Sequence, residues 1–575
     1  MIRMKIFFIV NDLGVNEPFG PMILSAVVKK EGHTSEFGSI KIDMDLIDRV
    51  VQFDPDVIAY SMMTADLLDM REFNDNLRNR LKVFTIIGGP STYDYNLITD
   101  NGIDAICIGE GETALVKVLD NLEHNRNIDD IPNILTKIED KDKLSLESLN
   151  SSLDEIPFMD REIVYRYPNM ARFGIKGIWT SRGCAFRCPY CFNNRFNDLY
   201  RGKGKIVRRR SVSDIIKETI ELRDNYRTDI IRIQDDIFVY KVDDWLKEFS
   251  DRWPKEVGVP FYALLRLEYI TEELAYYLKK AGCCSVCVSV ESADDNIRND
   301  MLRRNMTKEK MEEGFQILKN HNLAVYNNIM FALPFTSIED DIASVDFAIK
   351  VKPDCPDFSI FMPYPGTDLG DYCREAGIYD HENDNIYYGF GNESPLKCFD
   401  DKTKRAQYNL AQLAIFIVKV PVFRDLVVKH LIYWRPNKIF FIINYLFSVH
   451  AYGTKIFPYK HSISDYIFLI KKTLSYYSFE YFSKKKKNKA DNIFTMNLPT
   501  LSRSSVPVLA RSSLPDLSRS SLLMDADSNK KSSINISTVP VSNITIGNDM
   551  RDIEDAMTAM SPRRAKKKAV SMSND

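Results

Sequence analysis

SRGCAFRCPYCFNN, residues 181–194, sets Cys184, Cys188 and Cys191 in a C-x3-C-x2-C spacing directly after a short apolar run, IWTS (178–181). With 10 cysteines in 575 residues, chance gives this spacing on the order of 0.003 times per chain of this composition. Three thiolates this close can wrap a cubane cluster within one loop. They ligate three irons and leave the fourth open to a substrate or cofactor, which a fully ligated electron-transfer cluster cannot offer. Zinc would need a fourth Cys or His, and the nearest histidines in sequence are His124 and His321. The expected metal ligands are therefore Cys184, Cys188 and Cys191, around a 4Fe-4S cluster.

Outward from that loop the chain alternates strands and helices. IIRIQDD (230–236), FYALLR (261–266), SVCVSVE (285–291), AVYNNIMFALP (324–334) and FSIFMP (358–363) continue the strand series, with helical patterns between them. Ser211 and Asp214 form an S-x-x-D cap before IIKETIELRDNY, which predicts a helix start. Six such units over 175–395 predict a partial (βα)6 TIM-type barrel whose chemistry gathers on the loops after each strand. Before it, MKIFFIV (4–10), DVIAYSMMT (56–64), VFTIIGG (83–89) and DAICIGE (104–110) alternate with ILSAVVKK (23–30) and ETALVKVLDNL (112–122). That pattern predicts an α/β, Rossmann-like parallel sheet over 1–125, with ligands at the carboxyl ends of its strands, where Gly88-Gly89-Pro90 and Gly109-Glu110-Gly111-Glu112 fall. Residues 126–174 read as a polar linker. Residues 396–490 read as helical, basic and aromatic. From 491 to 575 the chain is Ser-rich, with Leu-x-Arg-Ser-Ser at Leu501, Leu509 and Leu517 and a closing SPRRAKKKA, a composition that predicts disorder.

The bulk numbers narrow the class. A chain of 575 residues needs two or three cores. A net charge of −3 gives no pull toward nucleic acid. The ten cysteines read as cytosolic thiols or metal ligands, with a cytoplasmic location expected. The apolar run Ile439 to Ser448 is too short to span a bilayer, although the basic aromatic region around it is a candidate for peripheral membrane contact. Cys283, Cys284 and Cys287 fall in an apolar strand pattern, where cysteine is a small hydrophobe. Strand alternation there predicts opposite faces for Cys284 and Cys287.

The cysteine spacing, with an aromatic before the third Cys, resembles the radical S-adenosylmethionine (SAM) superfamily. The order of the two sheets resembles its cobalamin-binding subclass, over roughly residues 1–395. The resemblance implies that the open iron holds SAM and that one electron cleaves it to methionine and a 5′-deoxyadenosyl radical. It implies Asp235 near the SAM amino group, Glu291 near the ribose, Arg266 at the end of the third strand, and Arg303 or Arg304 near the SAM carboxylate. Pro363-Tyr364-Pro365-Gly366-Thr367 matches a turn of the subclass. One segment departs from it. Ala332-Leu333-Pro334-Phe335-Thr336-Ser337 stands where Gly-Leu-Pro-Gly-Glu-Thr is usual, so Phe335 is expected to crowd the backbone beside the adenosine.

Cobalamin domains of this type often carry Asp-x-His-x-x-Gly after the first strand, and NDLGVNEPFG (11–20) has no His there. Ser61, Gly88 and Gly89 resemble the part of the signature that holds the nucleotide tail. Cobalamin is therefore expected without a protein histidine on cobalt. The subclass includes methyl transfer and oxidative cyclisation, as in the anaerobic magnesium-protoporphyrin ester cyclase. It implies a small-molecule substrate and an electron donor such as flavodoxin or ferredoxin. The alternative is a non-catalytic Fe–S and cobalamin-binding module with a drifted SAM site.

Overall fold

In β1 (Lys5–Val10) five of the six residues are buried, and they divide between two layers. Ile6, Phe8 and Val10 pack with Met22, Val28, Leu115 and Val118 on one face. Phe7 and Ile9 pack with Leu46, Val50, Leu67 and Met70 on the other. A strand covered on both faces reads as an unbroken apolar run, which is why MKIFFIV was legible. The computed structural model describes residues 4–13, 17–99, 102–380, 393–458 and Asp465. Residues Met1–Tyr459 form one compact unit, and of the second, Lys460–Asp575, only Asp465 is described. The expected tail with its Leu-x-Arg-Ser-Ser repeats lies outside the described residues.

The first sheet also contains β2 (Thr34–Ser39), β3 (Val57–Ser61), β4 (Phe84–Gly88), β5 (Ala105–Cys107) and β6 (Ile134–Leu135). Its order is β2-β1-β3-β4-β5-β6, parallel except for β6, which runs antiparallel to β5. Helices Phe19–Lys30 and Glu112–Glu123 cover one face, Leu46–Phe53 and Leu67–Arg78 the other. The sequence pattern missed β2, TSEFGS, because an edge strand has one partner and tolerates polar residues. It also misjudged 126–174. That segment supplies β6 and buries Ile131, Leu153, Ile156, Ile163 and Val164 in the main core, so it is a packed connection and not a free tether.

The second sheet is made of β7 (Ile175–Ile178), β10 (Ile230–Ile233), β11 (Phe261–Leu264), β12 (Cys283–Glu291), β13 (Ala324–Phe331) and β14 (Cys355–Ile360). All its pairs are parallel, in the order β14-β13-β12-β11-β10-β7, and its two end strands are not paired with each other. Two short pieces, β8 (Ser181–Arg182) and β9 (Arg208–Arg209), form a separate antiparallel pair. Ser211 caps the helix Val212–Asn225 by accepting from the Asp214 N–H at 3.2 Å, as the S-x-x-D pattern predicts. The register of β11 on β12 slips between Phe261 and Tyr262. That bulge overturns the expected alternation, and Cys284 and Cys287 pack into the same small cluster. Helices Asp401–Lys419 and Lys438–Ala451 form the C-terminal region. The segment after them reaches β12, where Ser285 Oγ donates to the Ile456 carbonyl at 2.6 Å.

The two sheets are joined through buried charge. Glu17, from the loop before the first helix, accepts from the Gly177 N–H at 2.5 Å and from Tyr165 Oη. Arg161 Nη2 lies 3.1 Å from Glu218 Oε1, and Arg210 Nη1 lies 2.6 Å from Glu218 Oε2. Burial alone would raise the Glu218 carboxyl, but Arg210 and Arg161 outweigh it and hold it below the usual glutamate range. A lowered folded pKa contributes stability above the ordinary glutamate range, and that contribution is lost as pH falls through the folded value. We expect Glu218→Ala, which removes one carboxylate from two buried guanidiniums that keep Asp214 and Glu17 as their other acidic neighbours, to cost about 1–3 kcal/mol. Urea midpoints of wild type and variant should lie far apart at pH 7 and converge toward pH 3. A midpoint unchanged at pH 7 would show that the network is not a structural tie.

Candidate active site

The cysteine loop begins where β7 gives way to Thr180 and Ser181. Both residues bind the carboxylate of Asp235, which follows β10. The Thr180 and Ser181 N–H groups donate to Oδ1 at 2.7 and 3.1 Å, Ser181 Oγ donates to Oδ2 at 2.8 Å, and Thr180 Oγ1 does the same. Asp235 is buried, and its carboxyl is pushed up to about 6 by burial, with these hydrogen bonds pulling the other way. It faces the root of the cysteine loop. Its neighbour Asp236 accepts from Asn193 Nδ2 at 2.8 Å, beside the third cysteine.

Above this root the loop meets the ends of β11 and β12. Arg266 Nη1 lies 3.7 Å from Cys188 Sγ, its Nη2 donates to the Arg304 carbonyl at 2.8 Å, and its guanidinium sits 3.6 Å from the centroid of the Phe186 ring. Tyr190, between Cys188 and Cys191, donates to Glu291 Oε1 at 2.9 Å, and Arg304 Nη1 donates to Tyr190 Oη at 2.9 Å. Glu291 has φ +63 and follows a register shift in the β12–β13 pairing. A bulge re-aims a side chain at a strand end, and left-handed backbone at a non-glycine residue marks a functional strain. Arg266, Glu291, Arg304, Tyr190 and Cys188 are thus one cluster. Arg303 lies apart from these contacts and pairs with Asp368 at 3.0 Å. Tyr190 and Arg304 are the residues that sequence reasoning underweighted. The first was visible only as an aromatic before a cysteine, the second only as one of two adjacent arginines.

The donor set fits a cluster better than a single ion. Burial pushes the Cys184 thiol up and the Cys191 thiol up to about 12. The thiols become ligands only when a metal's charge favours thiolate. Arg266 and Arg304 are buried beside the loop, each also paired with a carboxylate, Glu268 and Glu291. The three sulfurs are not all within 4.8 Å of one another, whereas tetrahedral zinc holds its sulfurs about 3.8 Å apart. Cys283, by contrast, sits in the apolar core and donates to the Ser285 carbonyl at 3.3 Å.

Ala332 and Phe335 have φ +56 and +60, so the backbone keeps the left-handed turns that glycine would favour. The Phe335 side chain is 41% exposed and lies against Tyr372, with ring centroids 6.5 Å apart. The main chain is thus left-handed at residues 332 and 335 without glycine, and the phenyl ring rests near Tyr372.

A cavity of about 450 Å³ lies at the carboxyl ends of the first sheet. Ser61, Gly88, Gly89 and Gly109 line one side, and Gly183, Phe192, Asn193 and Asp236 line the other. Residues 183, 192 and 193 are the immediate flanks of the cysteine loop. At the rim Arg182 Nη2 donates to Glu112 Oε1 at 2.5 Å and Arg208 Nη2 to Glu110 Oε1 at 2.6 Å, so the β8–β9 pair is fastened to the loop after β5. Gly89 has φ +103, and a Cβ there would lie 2.8 Å from the Met62 carbonyl oxygen. A Cβ on Gly88 would come no closer than 4.0 Å to any neighbour. Among the described residues, the lining contains no histidine. A glycine-walled cavity at strand ends suits a bulky ligand that approaches main chain.

The B12 binding domain model matches residues 7–119 and the radical SAM superfamily model residues 179–348. The chain therefore carries a radical SAM domain. A B12-binding domain precedes its radical SAM domain, and the cofactor set read from the sequence, a 4Fe-4S cluster, SAM and cobalamin, is the set that these two domains serve. An uncharacterized methyltransferase of Pyrococcus horikoshii is 24% identical over 427 residues, 72% of this chain and 90% of that protein. The cytidylyl-2-hydroxyethylphosphonate methyltransferase of Streptomyces wedmorensis is 26% identical over 59% of this chain and 70% of that protein. The radical SAM methyltransferase TsrM of Kitasatospora setae, solved with cobalamin and a 4Fe-4S cluster bound, shares the fold with a TM-score of 0.56. It is 17% identical, over 70% of this chain and 83% of that chain.

Two outcomes follow for this radical SAM protein. Alanine at Cys184, Cys188 or Cys191 should abolish the charge-transfer absorbance of anaerobically reconstituted protein, and alanine at Cys283 should leave it intact; a full cluster in Cys188→Ala would remove the assignment. Gly88→Leu should fill the cavity without straining the strand and lower cobalamin retention at least about tenfold with little change in melting temperature. Gly89→Leu should lower both, because its φ and the Met62 carbonyl forbid a side chain. Equal retention in wild type and Gly88→Leu would place cobalamin elsewhere.

Proposed function

We propose that this radical SAM enzyme is a cobalamin-dependent methyltransferase acting on a small molecule. The observation that carries the reading is the shared wall. The cavity of the B12-binding domain is closed by Gly183, Phe192, Asn193 and Asp236, the residues that bracket the cluster cysteines. The methyltransferase names of its relatives support methyl transfer over cyclisation. When bound, the cluster and SAM supply the radical and the methyl source, and cobalamin supplies the methyl carrier. We read the first sheet (1–125) as Rossmann-like and the open second sheet (175–395) as a partial (βα)6 barrel.

The chain's own residues then divide the remaining work. Asp235 holds Thr180 and Ser181, and through them the entry of the cysteine loop; it acts as a positioning residue. Asp236 and Asn193 keep a polar boundary between the cavity and the loop. Arg266 donates toward Cys188 and balances charge beside it. Glu291, aimed by its bulge and held by Tyr190 and Arg304, presents a carboxylate for the ribose hydroxyls, with Arg303 at the edge of the site toward Asp368. Ser61, Gly88 and Gly89 receive the cobalamin tail. Among the described residues no histidine lines the cavity, so bound cobalt would be held without a protein imidazole. An external low-potential donor of the flavodoxin or ferredoxin type supplies the electron.

Reconstituted protein given SAM, hydroxocobalamin and a strong reductant should form both S-adenosylhomocysteine and 5′-deoxyadenosine. 5′-Deoxyadenosine alone would favour a cyclase, and neither product would favour the non-catalytic module. Glu291→Gln should weaken SAM binding about 10- to 100-fold with an intact cluster spectrum; unchanged binding would remove Glu291 from the SAM site.

A further inference from the structure

Helix Lys438–Ala451, KIFFIINYLFSVHA, is apolar around most of its circumference. A helix of that kind is normally buried on all sides. Here one side packs on helix Asp401–Lys419 and buries Phe440, while Ile439, Ile442 and Leu446 form an outward stripe at helical spacing. Ile439 is 66% exposed and Leu446 59%. The patch extends beyond the helix. Trp434, 57% exposed, precedes it. Val422, Phe423 and Leu426 join it through Phe416, whose ring lies 5.2 Å from that of Phe423 and 5.5 Å from that of Phe447. Single exposed apolar residues are ordinary, but a continuous apolar surface marks an interaction site.

Charge identifies the occupant. Residues 420–490 carry 13 Lys and Arg against 3 Asp and Glu, a net +10 in a chain whose total is −3. Lys429, His430, Arg435 and Lys438 lie within the patch region itself. The helix has 14 residues, about 21 Å at 1.5 Å per residue, against a hydrocarbon core of about 30 Å. No helix among the described residues is long and apolar enough to cross a membrane. An apolar stripe bordered by basic residues, with tryptophan and tyrosine at its start, suits a helix lying in the headgroup region of an anionic bilayer. We propose that the face built from 422–446 docks this protein onto an anionic lipid surface, with the helix axis in the membrane plane.

The test uses the full-length protein, loaded with cluster and cobalamin, and vesicles of phosphatidylcholine with or without about one third phosphatidylglycerol. Co-sedimentation should be at least about tenfold stronger with the anionic vesicles and should weaken between about 0.1 and 0.5 M salt. Brominated lipid should quench Trp434; Trp179 and Trp253 are buried, Trp245 is packed partly buried against the main core, and the quenching should be lost in Trp434→Ala. Changing Ile439, Ile442 and Leu446 together to Ser removes exposed apolar groups only, so SAM cleavage and melting temperature should persist while lipid binding falls at least about tenfold. Trp434→Ala should lower binding on its own. Three results would overturn the proposal. One is no binding to anionic vesicles. A second is binding unchanged in the triple variant, which would assign it to the basic run 484–489 alone. The third is a concentration-dependent dimer that the triple variant abolishes without any lipid binding, which would make the face a contact between copies.

Discussion

Asp235 carries a carboxylate into the interior and holds it there with four donors from two consecutive residues, Thr180 and Ser181. Burying a charged or polar group is tolerated only when its hydrogen bonds are met. Meeting them here fixes two things together. It ends β7, whose continuation breaks away as β8, and it sets the point from which the cysteine loop departs. The loop's path, the closeness of Arg266 to Cys188, and the presentation of Gly183 to the cavity all start from that point.

A second set of buried charges decides how the two sheets meet. Glu17 reaches β7, and Glu110 and Glu112 reach Arg208 and Arg182 on the small β8–β9 pair. Pairs of this kind contribute little net stability against an apolar alternative, but they are costly to break one partner at a time. Their consequence is geometric. They oppose the carboxyl ends of the first sheet to the cysteine loop, and so let one cavity take its walls from both. A B12-binding domain and a radical SAM domain on a loose tether would have no such shared wall. The packing of 126–174 into the main core removes that looseness.

Left-handed backbone at non-glycine residues occurs at ten described positions, and five of them lie from the end of β12 or β13 to the α-helix that follows it. Glu291, Arg303, Ala332 and Phe335 all have left-handed backbone without being glycine. Each such residue costs on the order of 1–3 kcal/mol and persists only where its surroundings over-determine it. The bulge at Glu291 turns its carboxylate to Tyr190 and Arg304. Ala332 and Phe335 take this backbone at the two positions where the radical SAM superfamily is expected to have glycine.

Much of this was legible in the sequence because its signals are local. Cys184, Cys188 and Cys191 lie within eight residues, so their spacing alone implied a cluster. Strands buried on both faces, such as β1, declare themselves as apolar runs, and the missing histidine in NDLGVNEPFG was visible by inspection. The polar edge strand β2 and the packed segment 126–174 were not legible, because what stabilises them is a neighbour distant in sequence. Nor was the division of labour between Asp235 and Asp236, which are adjacent in sequence and meet different partners, or the placing of Cys284 and Cys287 in one cluster, which depends on a one-residue register slip. Nor did residue type announce the left-handed backbone at Arg303 and Phe335. Residue identity by itself determined which chemistry the chain can hold. Only the tertiary structure decided which groups face one another, because hydrogen-bond partners, bulges and burial are relations between distant segments and leave no period in a single sequence.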